Sequence, residues 1–254
     1  MLTTIDQKTL AYVNLYAVLG CLENLCELVE EAGSLIKKDK VSIGFAVKDG
    51  PQATLSFNNG KCVFSEGAQE CDIRLPFGTC RRFNGLIAGT VKPLPSKGFT
   101  KVFFLINKFS FLTDILSHNL KPDPLYLVNP ETSRTNALLL LYTAASAASQ
   151  VANYDRSGIF SANQMPDGDI AVNISGEAGA TIQVREHRLT TIKKPCEKPR
   201  AVMEFKDADT AGRLLRGELS GMAAICEGSV RMRGMVNMID NLNRILDRVN
   251  YYLN

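Results

Sequence analysis

The chain has 254 residues, 45% hydrophobic and 22% charged, values of a globular rather than a disordered protein and enough for one large or two ordinary domains. Its formal net charge of +3, read as spread over both halves, excludes the electrostatic footprint of a nucleic-acid binder and a polybasic membrane patch. Seven cysteines without a CxxC spacing, and an N-terminus, MLTTIDQKTLAY, with no basic stretch before an apolar run, predict reduced thiols in a soluble cytoplasmic protein. The longest apolar stretch, 137–148, falls short of the about 20 residues that span a bilayer.

The first element is a helix. Thr4-x-x-Gln7 reads as a capping box, and Leu10, Val13, Ala17, Leu22, Leu25, Cys26, Val29, Ala32 and Ile36 follow at helical spacing, with Gly20 as a kink or a split. The basic run 37–40 suits a helix C-terminus. The period then changes to two, and 41–47, 53–57 and 61–64 read as strands. Asp49-Gly50-Pro51 joins the first two; Asn58-Asn59-Gly60, a strong hairpin signal, joins the next two. A fourth strand at 72–77 precedes a short helix at 79–88. Five of the twelve phenylalanines then fall within thirteen residues, at Phe99, Phe103, Phe104, Phe109 and Phe111. Pro122 and Pro124 mark a linker over 119–124.

The second half repeats this order. Asn129 caps a helix with Pro130 at its first position, and that helix is rich in alanine. Strands follow near 169–174, 180–184, 188–192 and 200–205, then a short helix at 208–216 and a half-exposed strand at 229–233. The last helix carries Met235, Met238, Ile239, Leu242, Ile245, Leu246, Val249, Tyr252 and Leu253 on one stripe.

The halves also align in register. Ile73, Leu75, Phe77, Leu86, Ile87 and Gly89 fall without a gap on Ala201, Met203, Phe205, Leu214, Leu215 and Gly217. Upstream the register shifts by one residue, 53–57 on 180–184; downstream it shifts by two, 101–116 on 231–246. Small drifts at turns are what a duplicated domain accumulates. Two modules are therefore expected, 1–122 and 123–254, each an α+β layer with helices on one face of a mainly antiparallel sheet.

Catalytic constellations are not found. His118 and His187 stand at non-equivalent positions, neither with a partner at metal-ligand spacing, and read as surface or loop residues. No GxSxG, P-loop, HExxH or GxGxxG occurs. Gly176-Glu177-Ala178-Gly179 and Asp167-Gly168-Asp169 read as turns, and Asp207-Ala208-Asp209 as a helix cap. What remains is apolar: the phenylalanine run and, at the matching place in the second half, Met232, Met235 and Met238. Such residues fill cores and also line adaptable cavities for long apolar ligands.

One stretch carries a family pattern. It runs Met203-Glu204-Phe205, Asp207-Ala208-Asp209, Leu214-Leu215-Arg216-Gly217, Met222-Ala223-Ala224-Ile225 and Gly228-Ser229-Val230-Arg231-Met232-Arg233-Gly234, with a helix from Met235. In order and spacing this resembles the sterol carrier protein type 2 family of lipid-binding domains, over about residues 169–253. The first half is similar through Asn58-Asn59-Gly60, Asp72-Ile73-Arg74-Leu75 and Leu86-Ile87-Ala88-Gly89. It departs where the family has a basic alternating strand: here stand Pro93 and Pro95, which argue against a central strand. In the second half Thr210 and Ala211 occupy the place of the family's aromatic after the acidic cap.

The resemblance implies two tandem modules, each a sheet of about five strands with an apolar tunnel between sheet and helices. It also implies binding or carriage of a fatty acid, acyl-CoA, phospholipid or sterol without catalytic residues. The expected lining is Phe99, Phe103, Phe104, Phe109 and Leu112 in the first module, and Phe205, Leu215, Met232, Met235, Met238, Ile239 and Leu242 in the second. Lys101, Arg231 and Arg233 are the cations that could meet a head group. No metal, cofactor or nucleic acid is expected, and at most transient membrane contact; a homodimer is left open. Two rival readings stand beside this one: an interaction or oligomerisation module whose pocket is filled by its own side chains, and an accessory domain pair of an enzyme acting on lipids.

Overall fold

The first sheet follows from alternation and one turn. In the computed structural model of the protein, which describes residues 4–68 and 70–253, strands β1 (Lys40–Val47), β2 (Gln52–Asn58) and β3 (Lys61–Glu66) form an antiparallel meander. Asn59 and Gly60 join β2 to β3 with φ of 50° and 80°, the left-handed pair that a two-residue hairpin turn demands. Odd-numbered β1 residues Ile43, Phe45 and Val47 are buried, as are Leu55 and Phe57 of β2. Strand β4 (Ile73–Phe77) pairs in parallel with β1, Ile43 opposite Ile73, which makes the order β3-β2-β1-β4.

That parallel pair forces a crossing. The chain leaves β3 at one edge and must reach the far side of β1. It does so over the outer face, the face away from Phe45 and Phe57. Thr54, pointing outward from β2, donates its hydroxyl to the Gly67 carbonyl at 2.7 Å. A Cβ on Gly44 would stand 2.6 Å from the Cys71 sulfur, so the crossing segment lies directly on a glycine. Asp72 then clasps β1, accepting from the Ser42 backbone N–H at 2.9 Å.

The outer face being taken, the helices occupy the inner one. Helix α1 (Gln7–Tyr12) runs through a π turn (Val13–Val18) and a 3-10 turn (Leu19–Cys21) into α2 (Leu22–Leu28), and α3 (Glu30–Leu35) follows a break at Val29. The cap is Asp6, which accepts from the Thr9 N–H at 2.7 Å, and not the Thr4-x-x-Gln7 box expected from the sequence. The run Gln7–Leu28 is long and apolar enough to cross a membrane by length and composition, an attribute the sequence reading did not assign to it. Here 72% of its apolar 18-residue window is buried, as in a core helix. Helix α4 (Cys80–Ile87), capped by Thr79, follows β4. Then Arg74 and Lys97 make a single antiparallel bridge where a fifth strand would lie, between the prolines and a helical tail: a 3-10 turn (Phe99–Lys101), a π turn (Phe104–Phe109) and α5 (Ser110–Leu120).

The second sheet has the same plan with one strand more. Asn129 and Pro130 open α6 (Pro130–Tyr154), followed by α7 (Arg156–Ala162). Strands β5 (Gly168–Ile174), β6 (Ala178–Arg185), β7 (Arg188–Ile192), β8 (Ala201–Phe205) and β9 (Val230–Gly234) lie in the order β7-β6-β5-β8-β9. Again the pair β5–β8 is parallel, with Ala201 opposite Ile170 as Ile73 is opposite Ile43. Again an outward threonine pins the crossing, Thr181 donating to the Lys194 carbonyl at 2.7 Å. Helices α8 (Ala208–Leu215) and α9 (Gly221–Cys226) precede β9, and α10 (Val236–Leu253) ends the chain. Helix α6 packs on the inner face, where Asn153 binds the Leu189 N–H and C=O and Thr191 donates to the Ala145 carbonyl at 2.8 Å. The chain divides into two units, 6–121 and, with residues 4–5, 122–253. Both are α+β.

One buried ion pair holds α10. Asp155, 3% exposed, accepts from Arg248 Nε and Nη2 at 3.0 Å each and from the Tyr252 hydroxyl at 2.5 Å, while its other oxygen caps α7 through the Ser157 N–H. Arg248 also donates to the Thr4 carbonyl at 3.0 Å, which attaches residues 4–5 to this unit. Burial by itself would raise the Asp155 carboxyl; hydrogen bonds from Arg248, Tyr252 and the Gly158 backbone outweigh it and hold the group below its usual range.

Asp155→Ala is expected to cost about 3–5 kcal/mol, because it strands a buried guanidinium; urea unfolding checks this. The Asp155 contribution is present above the unfolded-state value of about 3.9 and is lost as pH falls through the lower folded value. The wild type should therefore lose stability over that acid range more steeply than an Asp155→Asn variant. A second expectation concerns the β6–β7 turn, where Glu186 and His187 hold φ of 49° and 63° without a glycine. Replacing the pair by Asn-Gly should raise stability by roughly 1 kcal/mol, read as a higher thermal midpoint.

Candidate functional site

In the first unit the layer between sheet and tail is aromatic. Phe57 on β2 meets Phe104 and Phe109 with ring centroids 5.3 and 6.3 Å apart, and Phe45 meets Phe109 and Phe83 at 6.0 and 6.1 Å. Residues five apart on an α-helix diverge by about 140°. The π turn closes that angle and aims Phe104 and Phe109 at one sheet face. Phe104 and Leu112 are buried and Phe109 is half-buried, whereas Phe99 and Phe103 are 70% and 74% exposed. The five phenylalanines grouped by sequence thus belong to two surfaces. Lys101, expected at a tunnel rim, is paired with Asp72 at 2.8 Å. That hydrogen bond, with those from Ser42, holds the Asp72 carboxyl below its usual range.

In the second unit the equivalent layer is built on methionine. Met203 of β8 stands opposite Met232 of β9, and Phe205 opposite Val230, on the inner face of the sheet, where α10 packs on β8. Met238 and Leu242 are fully buried there; Met232, Met235 and Ile239 are half-buried along its margin, and Leu215 is half-buried on α8. Asn243 of α10 places its amide 3.8 Å from the Met232 sulfur. Phe205, Met203 and Met232 share one sheet face, but Arg231 and Arg233 do not. Strand alternation sends these arginines to the outer face. There each lines a polar recess: one of about 160 Å³ with Ser175, Glu204 and Lys206, one of about 380 Å³ with Glu197, Lys198 and Arg200. A head group bound by them would lie on the opposite side of the sheet from Met232.

The acidic groups singled out in the sequence are engaged in structure. Asp207 caps α8, accepting from the Thr210 N–H at 2.8 Å, and backbone and side-chain hydrogen bonds from Thr210 lower its carboxyl. Asp167 accepts from the Glu186 N–H at 2.8 Å, and Asp169 pairs with Arg185 at 2.6 Å. His187 lies in the exposed β6–β7 turn and His118 is exposed on α5. Burial, with Glu27 nearby, pushes the Cys26 thiol up to about 12, which keeps it protonated. Among the described residues no group of three or more His, Cys, Asp or Glu is placed to hold a metal ion.

Sequence reasoning missed Phe45, Phe57, Phe83 and Met203 as members of the layer. Their signal was present, since each sits at an inward position of a strand or on the buried side of α4. It also missed Arg248, a charge placed inside the apolar stripe of α10. Leu242→Asp is expected to cost about 4 kcal/mol or more by burying an unpaired carboxylate under α10. A chemical denaturation midpoint close to that of the wild type would contradict this placement.

No family model matches the chain, and no curated protein matches it. Similar solved structures include sterol carrier protein domain 2 of Helicoverpa armigera, 13% identical, covering 43% of this chain and 87% of that one with a TM-score of 0.36. A ubiquinone synthesis protein, UbiJ-SCP2, is 11% identical over 42% of this chain and 94% of that one, with a TM-score of 0.32. The inverting sec-alkylsulfatase Pisa1 from Pseudomonas sp. is 12% identical over 58% of this chain but only 28% of its own, with a TM-score of 0.26. Over about two fifths of its length the chain is similar to solved sterol carrier protein 2 domains.

Proposed function

We propose that the protein binds and carries a long apolar lipid, a fatty acid, acyl-CoA, phospholipid or sterol-like molecule, between a sheet and the helix that follows it. In this reading it catalyses no reaction of its own. The observation that carries the reading is the Met203–Met232–Met238 layer under α10, with Met232, Met235 and Ile239 half-buried along its edge. Methionine is unbranched and repacks at little cost, so this seam is where α10 would lift to admit a chain. Each methylene buried would contribute about 0.8 kcal/mol. The family pattern from Met203 to the final helix supports the same reading. We take the two units, 1–122 and 123–254 in sequence terms, as copies of one ancestral module, on the strength of their shared strand order and of Thr54 and Thr181 at equivalent places. The seven cysteines, none of them in a disulfide, suit a reducing cytoplasm.

A second reading has its own observation. In the first unit Phe45, Phe57, Phe83 and Phe104 fill the layer with the protein's own rings. That unit would then serve as an interaction module, or as an accessory to a lipid-acting enzyme, while the second unit binds.

The test is a titration of the full chain with a fluorescent fatty acid. Saturable binding of micromolar order is expected, as for apolar burial offset by ordering costs. Met235→Asp, at the half-buried edge, should weaken it by about tenfold, equivalent to roughly 1.4 kcal/mol, while circular dichroism shows the fold intact. Folded wild type without saturable binding of fatty acid, acyl-CoA, phospholipid or sterol would leave the interaction module as the reading.

A further inference from the structure

The tail of the first unit has two faces. Its inner stripe, Phe104, Phe109, Leu112 and Leu116, packs against the unit. Its outer stripe stands in solvent: Phe103 is 74% exposed, Ile106 67% and Phe111 44%, with Phe99 one turn earlier at 70% and Leu94 at 77%. Surface apolar residues scattered singly need no explanation, but large rings grouped along one helical stripe do. Two ion pairs join the tail to the residues just ahead of β1 and β4, Lys108 with Asp39 at 2.6 Å and Lys101 with Asp72 at 2.8 Å.

The stretch of sequence that carries this stripe is one-sided in charge. From residue 73 to 113 the chain has seven Lys and Arg and no Asp or Glu. That leaves 22 basic against 26 acidic residues for the rest of the chain, so the net +3 is not evenly spread, contrary to the reading from composition. Arg74, Arg81, Arg82 and Lys92 within this run are exposed.

We propose that the outer stripe Phe99–Phe111 docks the protein on the surface of a bilayer containing anionic lipid. Exposed rings would enter the head-group boundary, and the exposed cations Arg74, Arg81, Arg82 and Lys92 of the same run would be drawn to negative lipid. That combination of apolar face and cationic flank is what an interfacial segment needs. An apolar protein partner would make no use of those exposed cations. The inference does not rest on a lipid inside either unit, since a protein that encloses no acyl chain could still dock this way.

The experiment is flotation of the full chain with vesicles of phosphatidylcholine alone and of phosphatidylcholine mixed with phosphatidylserine. The protein is expected to float with the anionic vesicles, to stay behind with the neutral ones, and to be released by added salt. A Phe103→Ser, Ile106→Ser variant should partition roughly tenfold less or lower, and Lys92→Glu should weaken binding to anionic vesicles. Phe160→Ser, at a residue 63% exposed in the second unit, should float like the wild type. Circular dichroism confirms folding; should the double variant not fold, Lys92→Glu and the salt series carry the test. Failure to float with either vesicle would overturn the proposal, as would equal binding to both. A lipid-free dimer that Phe103→Ser splits would overturn it too, and would make the stripe a self-association face.

Discussion

Both sheets depend on one constraint, the parallel pairing of the fourth strand of each unit with the first. A hairpin cannot make that pair, so the chain must cross from one edge of the sheet to the far side of the first strand. It crosses on the outer face, and the sequence bears the marks. Gly44 leaves room for Cys71, and Thr54 and Thr181 offer hydroxyls to the crossing backbone at 2.7 Å. With one face closed by the crossing, the apolar inner face is left to the helices, and the layer between becomes the interior of each unit.

The units then diverge where their tails differ. In the second, Val230–Gly234 extends the sheet as β9 and brings Met232 opposite Met203, so α10 lies over a methionine layer. In the first, Pro93 and Pro95 remove backbone donors from the same stretch, leaving only the Arg74–Lys97 bridge. Without that strand the tail reaches the sheet as a π turn and covers it with phenylalanine rings. The same plan therefore yields an interior of flexible thioethers in one unit and of interlocked rings in the other. These differ in how readily they repack.

The polar side of the second unit works in the opposite sense. Asp155, Arg248 and Tyr252 form a buried cluster that ties α10 to the α6–α7 corner. Such a pair contributes little net stability beyond its own desolvation cost, but it allows one geometry only. It fixes the C-terminal part of α10, while at the N-terminal part Asn237 donates to the Gln164 carbonyl at 2.9 Å beside the half-buried Met232 and Met235.

Most of the architecture was legible in the chain. Period-two runs marked the strands, Asn59-Gly60 the hairpin, Asn129-Pro130 the start of α6, and the pattern of residues 203–234 the order of elements. Each of these is a local property, set by backbone sterics or by the spacing of apolar residues along one segment. What the sequence did not disclose depends on which segments meet. The helix cap went to Asp6 because its carboxylate reaches the Thr9 N–H, a matter of geometry that a spacing rule does not resolve. Five neighbouring phenylalanines were divided between interior and surface by a π turn, and Arg231 and Arg233 were sent away from Met232 by strand alternation. Arg248, polar in any helical-wheel reading, was drawn inside by an acid 93 residues away in the chain. Element type is determined by near neighbours in the chain; the face a side chain presents, and the company it keeps there, are decided only when distant segments pack.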